Sequence, residues 1–213
     1  MLDFQDFLKL VPKFSAVSLP AKEAHFKMAP PERIQFLENL DQESFNPKNA
    51  AVLMLVYPKG DKAHLAFIVR NAYDGTHSSQ IAFPGGKYEL SDINFEATAI
   101  RETHEEIGVH PDKIKIIKAF THLYIPPSNF MVYPYLGFCS AEIEFILDPK
   151  EVAGIIEISL LEIVNDDLIV NTNIQTSYAE KIFTPAFLIN DHLVWGATAM
   201  MLSELKEVLK KVL

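Results

Sequence analysis

The chain has 213 residues, 49% of them hydrophobic and 22% charged, a balance that excludes a disordered or collagen-like chain and fits one folded domain with an extension. Its formal charge is −9, so the phosphate backbone of a nucleic acid gains nothing from the global field and nucleic-acid binding is disfavoured. An anionic substrate needs some other means of attachment, and a metal would serve. The single cysteine, Cys139, makes an internal disulfide impossible and agrees with a reducing cytoplasm; it reads as a small buried hydrophobe. The longest apolar run, 50–57, is too short to cross a bilayer, and the N-terminus lacks the basic and apolar regions of a signal peptide. The expectation is a soluble, cytoplasmic protein with no membrane partner.

In chain order, residues 1–45 read as a helical extension. Phe4, Phe7, Leu8 and Leu10 suggest a short first helix, and Pro30-Pro31 followed by Glu32 opens a second, since proline and acids suit a first turn. The apolar runs 52–57 and 65–69, joined by turn residues 58–62, predict two buried strands. A polar loop over 71–80 leads to Ile81-Ala82-Phe83-Pro84-Gly85-Gly86. A helix over about 94–107 stops at Gly108. Strands are expected at 114–121, 130–138, 143–147 and 152–158, with weaker ones at 181–189 and 192–194. A final helix over 196–212 places Met201, Leu202, Leu205, Val208, Leu209 and Val212 at helical spacing. The sum is a mixed α/β (α+β) domain over 46–213.

Chemistry concentrates in Gly85-Gly86-Lys87 and in the run Arg101-Glu102-Thr103-His104-Glu105-Glu106-Ile107-Gly108-Val109. At about 100° per residue Glu102, Glu105 and Glu106 share one arc of the helix, while Ala97, Ile100 and Ile107 take the opposite arc with His104 beside them. Three stacked carboxylates repel one another and sit at the wrong end of the helix dipole. A broken local rule with no local compensation points to function. Clustered hard oxygen donors suit Mg²⁺ or Mn²⁺; a solvated acidic face is the competing reading. Gly85-Gly86 allows a close backbone approach before the helix, and Arg101 can orient a carboxylate through a charge-assisted hydrogen bond.

These residues resemble the box of the Nudix hydrolase family: Gly86 and the run 101–109 match most of it. Thr103 stands where an aliphatic residue is usual. The spacing from Gly86 to Arg101 is one residue longer, with Asp92 nearest the place of the box's first glutamate. The longer spacing and the stretch 77–87 resemble the subgroup that cleaves coenzyme A, although Gly75 and Ser79 stand where that signature has an arginine and a glycine.

The resemblance implies an α/β/α sandwich with a mixed sheet behind a short N-terminal helical extension. It also implies metal-dependent hydrolysis of a phosphoanhydride, with Mg²⁺ or Mn²⁺ on Glu102, Glu105 and Glu106. Glu105 or another carboxylate takes the water's proton, and Arg101 assists. The expected product pair from CoA or acyl-CoA is 3′,5′-ADP and a 4′-phosphopantetheine. Alternatives are another nucleotide (ADP-ribose, a dinucleotide or a nucleoside triphosphate) and, ranked low because all three glutamates are present, a non-catalytic nucleotide sensor. The partner is a small-molecule nucleotide; the oligomeric state stays open, with a homodimer among the options.

Arg70, His77, Gln80, Gly85, Gly86 and Lys87 are candidate substrate contacts, Arg70 through a phosphate; the plainer readings are a surface arginine for Arg70 and an ordinary polar loop for His77 and Gln80. Glu151 is a candidate base or additional ligand, against a strand-edge charge. His104 reads as a core histidine, the proline-rich loop 124–130 as a substrate lip or a rigid turn, and Trp195 as packing at the start of the last helix.

Overall fold

Strand β1 (Lys48–Lys59) runs through the middle of the molecule, and its sequence shows why. Side chains of a strand alternate between faces. Ala51, Leu53, Leu55 and Tyr57 point into one apolar cluster, while Ala50, Met54 and Val56 belong to another. A strand covered on both sides reads as a continuous apolar run, as 50–57 does. The computed structural model describes residues 2–38, 46–71, 80–175 and 181–213.

Antiparallel to β1 run β2 (Lys62–Arg70) and the short β4 (Gly85–Lys87), while β7 (Phe130–Cys139) pairs with it in parallel. The mixed sheet has the order β3-β2-β1-β7-β5, with β3 at Ile81–Ala82 and β5 at Ile114–Ala119. Strand β6 (Leu123–Ile125) adds to β7, and β8 (Val152–Ser159) adds to β2. A second, antiparallel sheet holds β9 (Ile169–Ile174), β10 (Ile182–Ile189) and β11 (His192–Val194).

One face of the large sheet is covered by α4 (Phe95–Ile107), through Ala99 and Ile107. The other is covered by α1 (Phe4–Ala16) and α5 (Gly196–Val212), which bury Phe4, Phe7 and Phe14 beside Leu202, Leu205 and Leu209. The result is an α/β/α sandwich. Burying each of these side chains contributes about 1.5–3 kcal/mol, so α1 is tied into the same core as the sheet. Helices α2 (Lys22–Phe26) and α3 (Pro31–Glu38) follow α1.

Buried Glu204 on α5 links these helices to the sheet. Its carboxylate accepts from the Ala21 N–H at 2.9 Å, the Thr121 N–H at 3.0 Å and the Thr121 hydroxyl at 2.6 Å, with His25 Nε2 at 3.4 Å. Burial opposes its ionisation, yet His25 and Thr121 hold it below the usual carboxylate range.

The strand expected at 143–147 does not form. Ile143, Phe145 and Leu147 pack beneath α4's side of the sheet, but the Ile146 and Asp148 N–H groups donate to the Ile107 and Glu106 carbonyls at 3.1 and 3.0 Å. The alternating pattern reports one buried side, and here the backbone satisfies a helix end rather than a ladder. Strands β6 and β9 and helix α2 were not anticipated. No helix among the described residues is long and apolar enough to cross a membrane.

Candidate active site

Helix α4 begins at Asn94, whose side chain accepts from the Ala97 N–H at 2.8 Å, and ends at Gly108, φ +73°. It rests on the sheet through Ala99, Thr103, Glu106 and Ile107. Thr103, in the place of an aliphatic residue, is fully buried because its hydroxyl donates to the Ala99 carbonyl at 2.7 Å. The expected apolar stripe is therefore displaced: Ala97 and Ile100 are only half-buried, and His104 is exposed, ring-edge to His110, not a core histidine. A helical side chain covers the surface N-terminal to its own Cα, so wheel angles alone misjudge the rim of a face. The three glutamates do not form a solvated face either, since Glu106 is 1% exposed.

Glycines make this burial possible. Gly85 has φ +152°, and a Cβ there would meet the Ala51 carbonyl oxygen at 2.3 Å. Its N–H donates to Glu106 Oε2 at 2.8 Å. At Gly86 a Cβ would lie 2.4 Å from the Glu102 carboxyl carbon. The two glycines thus form a cradle into which two carboxylates fit against strand β4.

Arg101 organises the rest. Its Nε and Nη2 grip Asp92 bidentately at 2.9 and 3.0 Å, Nη1 donates to Glu102 at 3.0 Å and Glu105 at 2.9 Å, and Nη2 also reaches the Lys87 carbonyl at 3.0 Å. Asp92 is itself fixed by the Thr98 hydroxyl and the Glu89 N–H. Arg101 therefore holds Asp92 well below the usual carboxylate range, and Asp92 in turn raises Arg101. Asp92 occupies the inserted stretch and performs a positioning task that the spacing alone did not define.

Charge at the centre is unbalanced. Burial, with the neighbouring charges of Glu102 and Glu151, pushes Glu106 up to about 8 against the opposing Gly85 N–H and Arg70. Burial also raises Glu102, against Arg101. Glu106 Oε1 has no hydrogen-bond donor, and Arg70 Nη1 stands 3.5 Å away. Among the described residues no three acidic, histidine or cysteine side chains converge into a ready-made cage; Glu102 and Glu105 are engaged by Arg101. The buried, unpartnered Glu106 Oε1 beside the Glu102 carboxylate nonetheless has the chemistry of a hard-cation site, so the residues fit Mg²⁺ or Mn²⁺.

The remaining candidates fall as follows. Exposed Glu151 lies beyond the segment hung from α4's last carbonyls, and its charge reaches Glu102 and Glu106. Arg70, Gln80, Gly85, Gly86 and Lys87 line one cavity of about 330 Å³. His77, Gly75 and Ser79 lie outside the described residues. Cys139 is buried and its thiol is pushed up to about 11 by burial, as a structural cysteine should be.

The cavity also takes in residues that no local pattern places there: Arg33 from α3, and Trp195, Gly196, Thr198 and Met201 at the start of α5. The lip residues Ile125, Pro127 and Ser128 complete one wall. An adjoining cavity of about 460 Å³, sharing Arg33, Pro127 and Trp195, leads outward past Phe36 and Phe183. These contacts are non-local, and no spacing rule could reveal them.

A family model described as the NUDIX domain matches residues 47–176, more than half of the chain. Nudix hydrolase NudL of Enterobacter sp. (strain 638), named as uncharacterized, is 27% identical over 179 residues, covering 81% of this chain and 89% of that one. The peroxisomal coenzyme A diphosphatase NUDT7 of Mus musculus is 34% identical over 90 residues, 41% of this chain and 37% of its own. Among solved structures, the fold is similar to that of the Nudix hydrolase RenU from M. smegmatis, with TM-score 0.54 and 15% identity over 79% of this chain and 89% of that one.

Proposed function

The chain belongs to the NUDIX family, and from that premise we propose that it hydrolyses coenzyme A or an acyl-CoA to 3′,5′-ADP and the corresponding 4′-phosphopantetheine. As a Nudix hydrolase it is a pyrophosphohydrolase acting on nucleoside diphosphate derivatives. The observation that carries the reading is the cavity beside Gly85 and Gly86: among the described residues it is lined by Arg33, Arg70 and Lys87 and by no acid, in a chain of net charge −9. Its other walls are largely apolar, which suits a ligand whose phosphates are joined to less polar parts. The similarity to the mouse coenzyme A diphosphatase and the 77–87 stretch support CoA over ADP-ribose.

In this reading Glu102, Glu105 and Glu106 hold Mg²⁺ or Mn²⁺. When bound, the metal supplies Lewis acidity at a phosphoryl oxygen and lowers the pKa of an attacking water. The protein's own part is positional. Asp92 clamps Arg101, Arg101 orients Glu102 and Glu105, and the Gly85 N–H orients Glu106. Arg70 and Lys87 face the cavity from the same edge, where they bind diphosphate oxygens. The water's proton passes to Glu105 or to Glu151.

The test is kcat/KM for CoA, acyl-CoA, ADP-ribose, a diadenosine polyphosphate and a nucleoside triphosphate, each with Mg²⁺, with Mn²⁺ and with excess chelator. The expected result is a preference for CoA compounds that is abolished by chelator and restored by metal. A preference of about tenfold for ADP-ribose, equal to about 1.4 kcal/mol in the transition state, would move the substrate to the alternative. Undiminished turnover in chelator would remove the metal.

A further inference from the structure

The three cations of the active-site cavity are not equivalent. Arg70 and Lys87 belong to the carboxylate edge: Arg70 approaches Glu106 at 3.5 Å, and the Lys87 carbonyl binds Arg101. Arg33 is carried by α3, outside the matched residues 47–176. Its Nη2 donates at 2.9 Å to the carbonyl of Tyr124 on β6, which fixes the guanidinium on the opposite wall.

Pairing registers measure the separation. Lys87 lies opposite Ala50, Ala50 beside Val132, and Val132 opposite Leu123, with Tyr124 the next residue. Strands β4 and β6 are therefore three strand spacings apart, roughly 14 Å at about 4.8 Å per step. That backbone separation puts Arg33 on a wall other than that of Lys87, with both side chains lining the same cavity. Between the two cationic ends the lining is apolar, with Val52, Val132, Phe130, Trp195 and Met201. The cavity thus matches a ligand that carries a second anionic group apart from its anhydride, with its less polar parts against the apolar lining.

We propose that Arg33 is a specificity-determining residue of this site, binding a phosphate monoester on the substrate's ribose, away from the scissile anhydride. The assignment rests on the nucleotide-hydrolase reading and adds a residue to it from the N-terminal extension. A guanidinium suits the task because its planar fork binds a terminal phosphate bidentately. The acidic protein would otherwise repel such a group, since no metal ligand lies on that wall.

The experiment measures binding, so it does not depend on which substrate is turned over. The full chain, in excess chelator, is titrated with 3′,5′-ADP and with 5′-AMP. The wild type is expected to bind 3′,5′-ADP at least about tenfold more tightly, about 1.4 kcal/mol. Arg33→Gln should bring the ratio to within about twofold while leaving AMP affinity unchanged, and Arg33→Lys should fall between. Equal affinities in the wild type, or no binding of either nucleotide, would overturn the assignment. So would an equal loss for both ligands in both variants, which would mean that Arg33 only tethers α3 to Tyr124. Should Arg33→Gln not fold, Arg33→Lys decides the point: an unchanged ratio in that variant also overturns it. Failure of the wild type to cleave CoA would count against the proposed substrate and leave this result standing or falling by itself.

Discussion

Among the described residues two glutamates are almost completely buried, and they have opposite fates. Glu204 is met by two N–H groups, a hydroxyl and a nearby histidine, and stays below the usual carboxylate range. Glu106 receives one N–H, faces an arginine at the edge of contact and has the negative charges of Glu102 and Glu151 nearby; it is raised to about 8. Burial alone acts the same way on both. The partners decide the outcome, and a buried carboxylate that the fold leaves under-satisfied marks the site, while a saturated one marks the scaffold.

The sharpest way to break the comparison is to neutralise each acid and watch different readouts. Glu106→Gln and Glu102→Gln should each lose at least about 10³-fold in kcat/KM, about 4 kcal/mol, with an unchanged fold by circular dichroism. Near-normal turnover in both would mean that the ligands are misassigned. Glu204→Gln should do the reverse. An amide places an NH₂ against backbone donors, so stability should fall by about 2–4 kcal/mol in denaturant titrations. Activity per folded molecule should stay within about twofold.

A smaller effect separates the two by pH. Glu106 has a folded-state pKa above its ordinary value of 4.5, so its stabilising contribution is complete below about pH 4.5 and is lost as pH rises through about 8. In chelator, Glu106→Gln should therefore be more stable than wild type above pH 8, by roughly 1–3 kcal/mol. The gap should close toward pH 5. Glu204, depressed below 4.5, has the opposite dependence: its contribution is present above that pH and lost on acidification. Melting temperatures of the wild type and both variants across pH 4–9 would show the two trends, and parallel curves for the two variants would refute the distinction.

Much of this was legible in order along the chain. The runs that became β1 and β2, the bounds of α4 and α5, and the Gly86 to Val109 box carry strong local patterns. Legibility ended where neighbours decide. Residues 143–147 alternate like a strand but dock on a helix end. Strand β9, with Asn171, Thr172 and Asn173 in its middle, owes its state to pairing with β10. His104 and Glu106 exchanged their expected environments because Gly85 draws Glu106 inward. Arg33 and Trp195 join the cavity from opposite ends of the chain, and only the closed fold brings them together.

The Glu204 junction also has a consequence for the order of events during synthesis. Its donors Ala21 and Thr121 are translated well before it, and Ser203 on the same helix donates to the Ala24 carbonyl at 2.8 Å. Lys13 reaches the Val212 carbonyl at 3.2 Å. Helices α1 and α2 therefore leave the ribosome long before α5, the element that seals them. Closing a loop of that length costs only slightly more entropy than closing a short one, but it must wait for translation at about 5–20 residues per second. For about ten seconds or more at that rate, Phe7, Phe14 and Met28 lack their final covering. Until α5 docks, these side chains are apolar surface of the kind that chaperones shield.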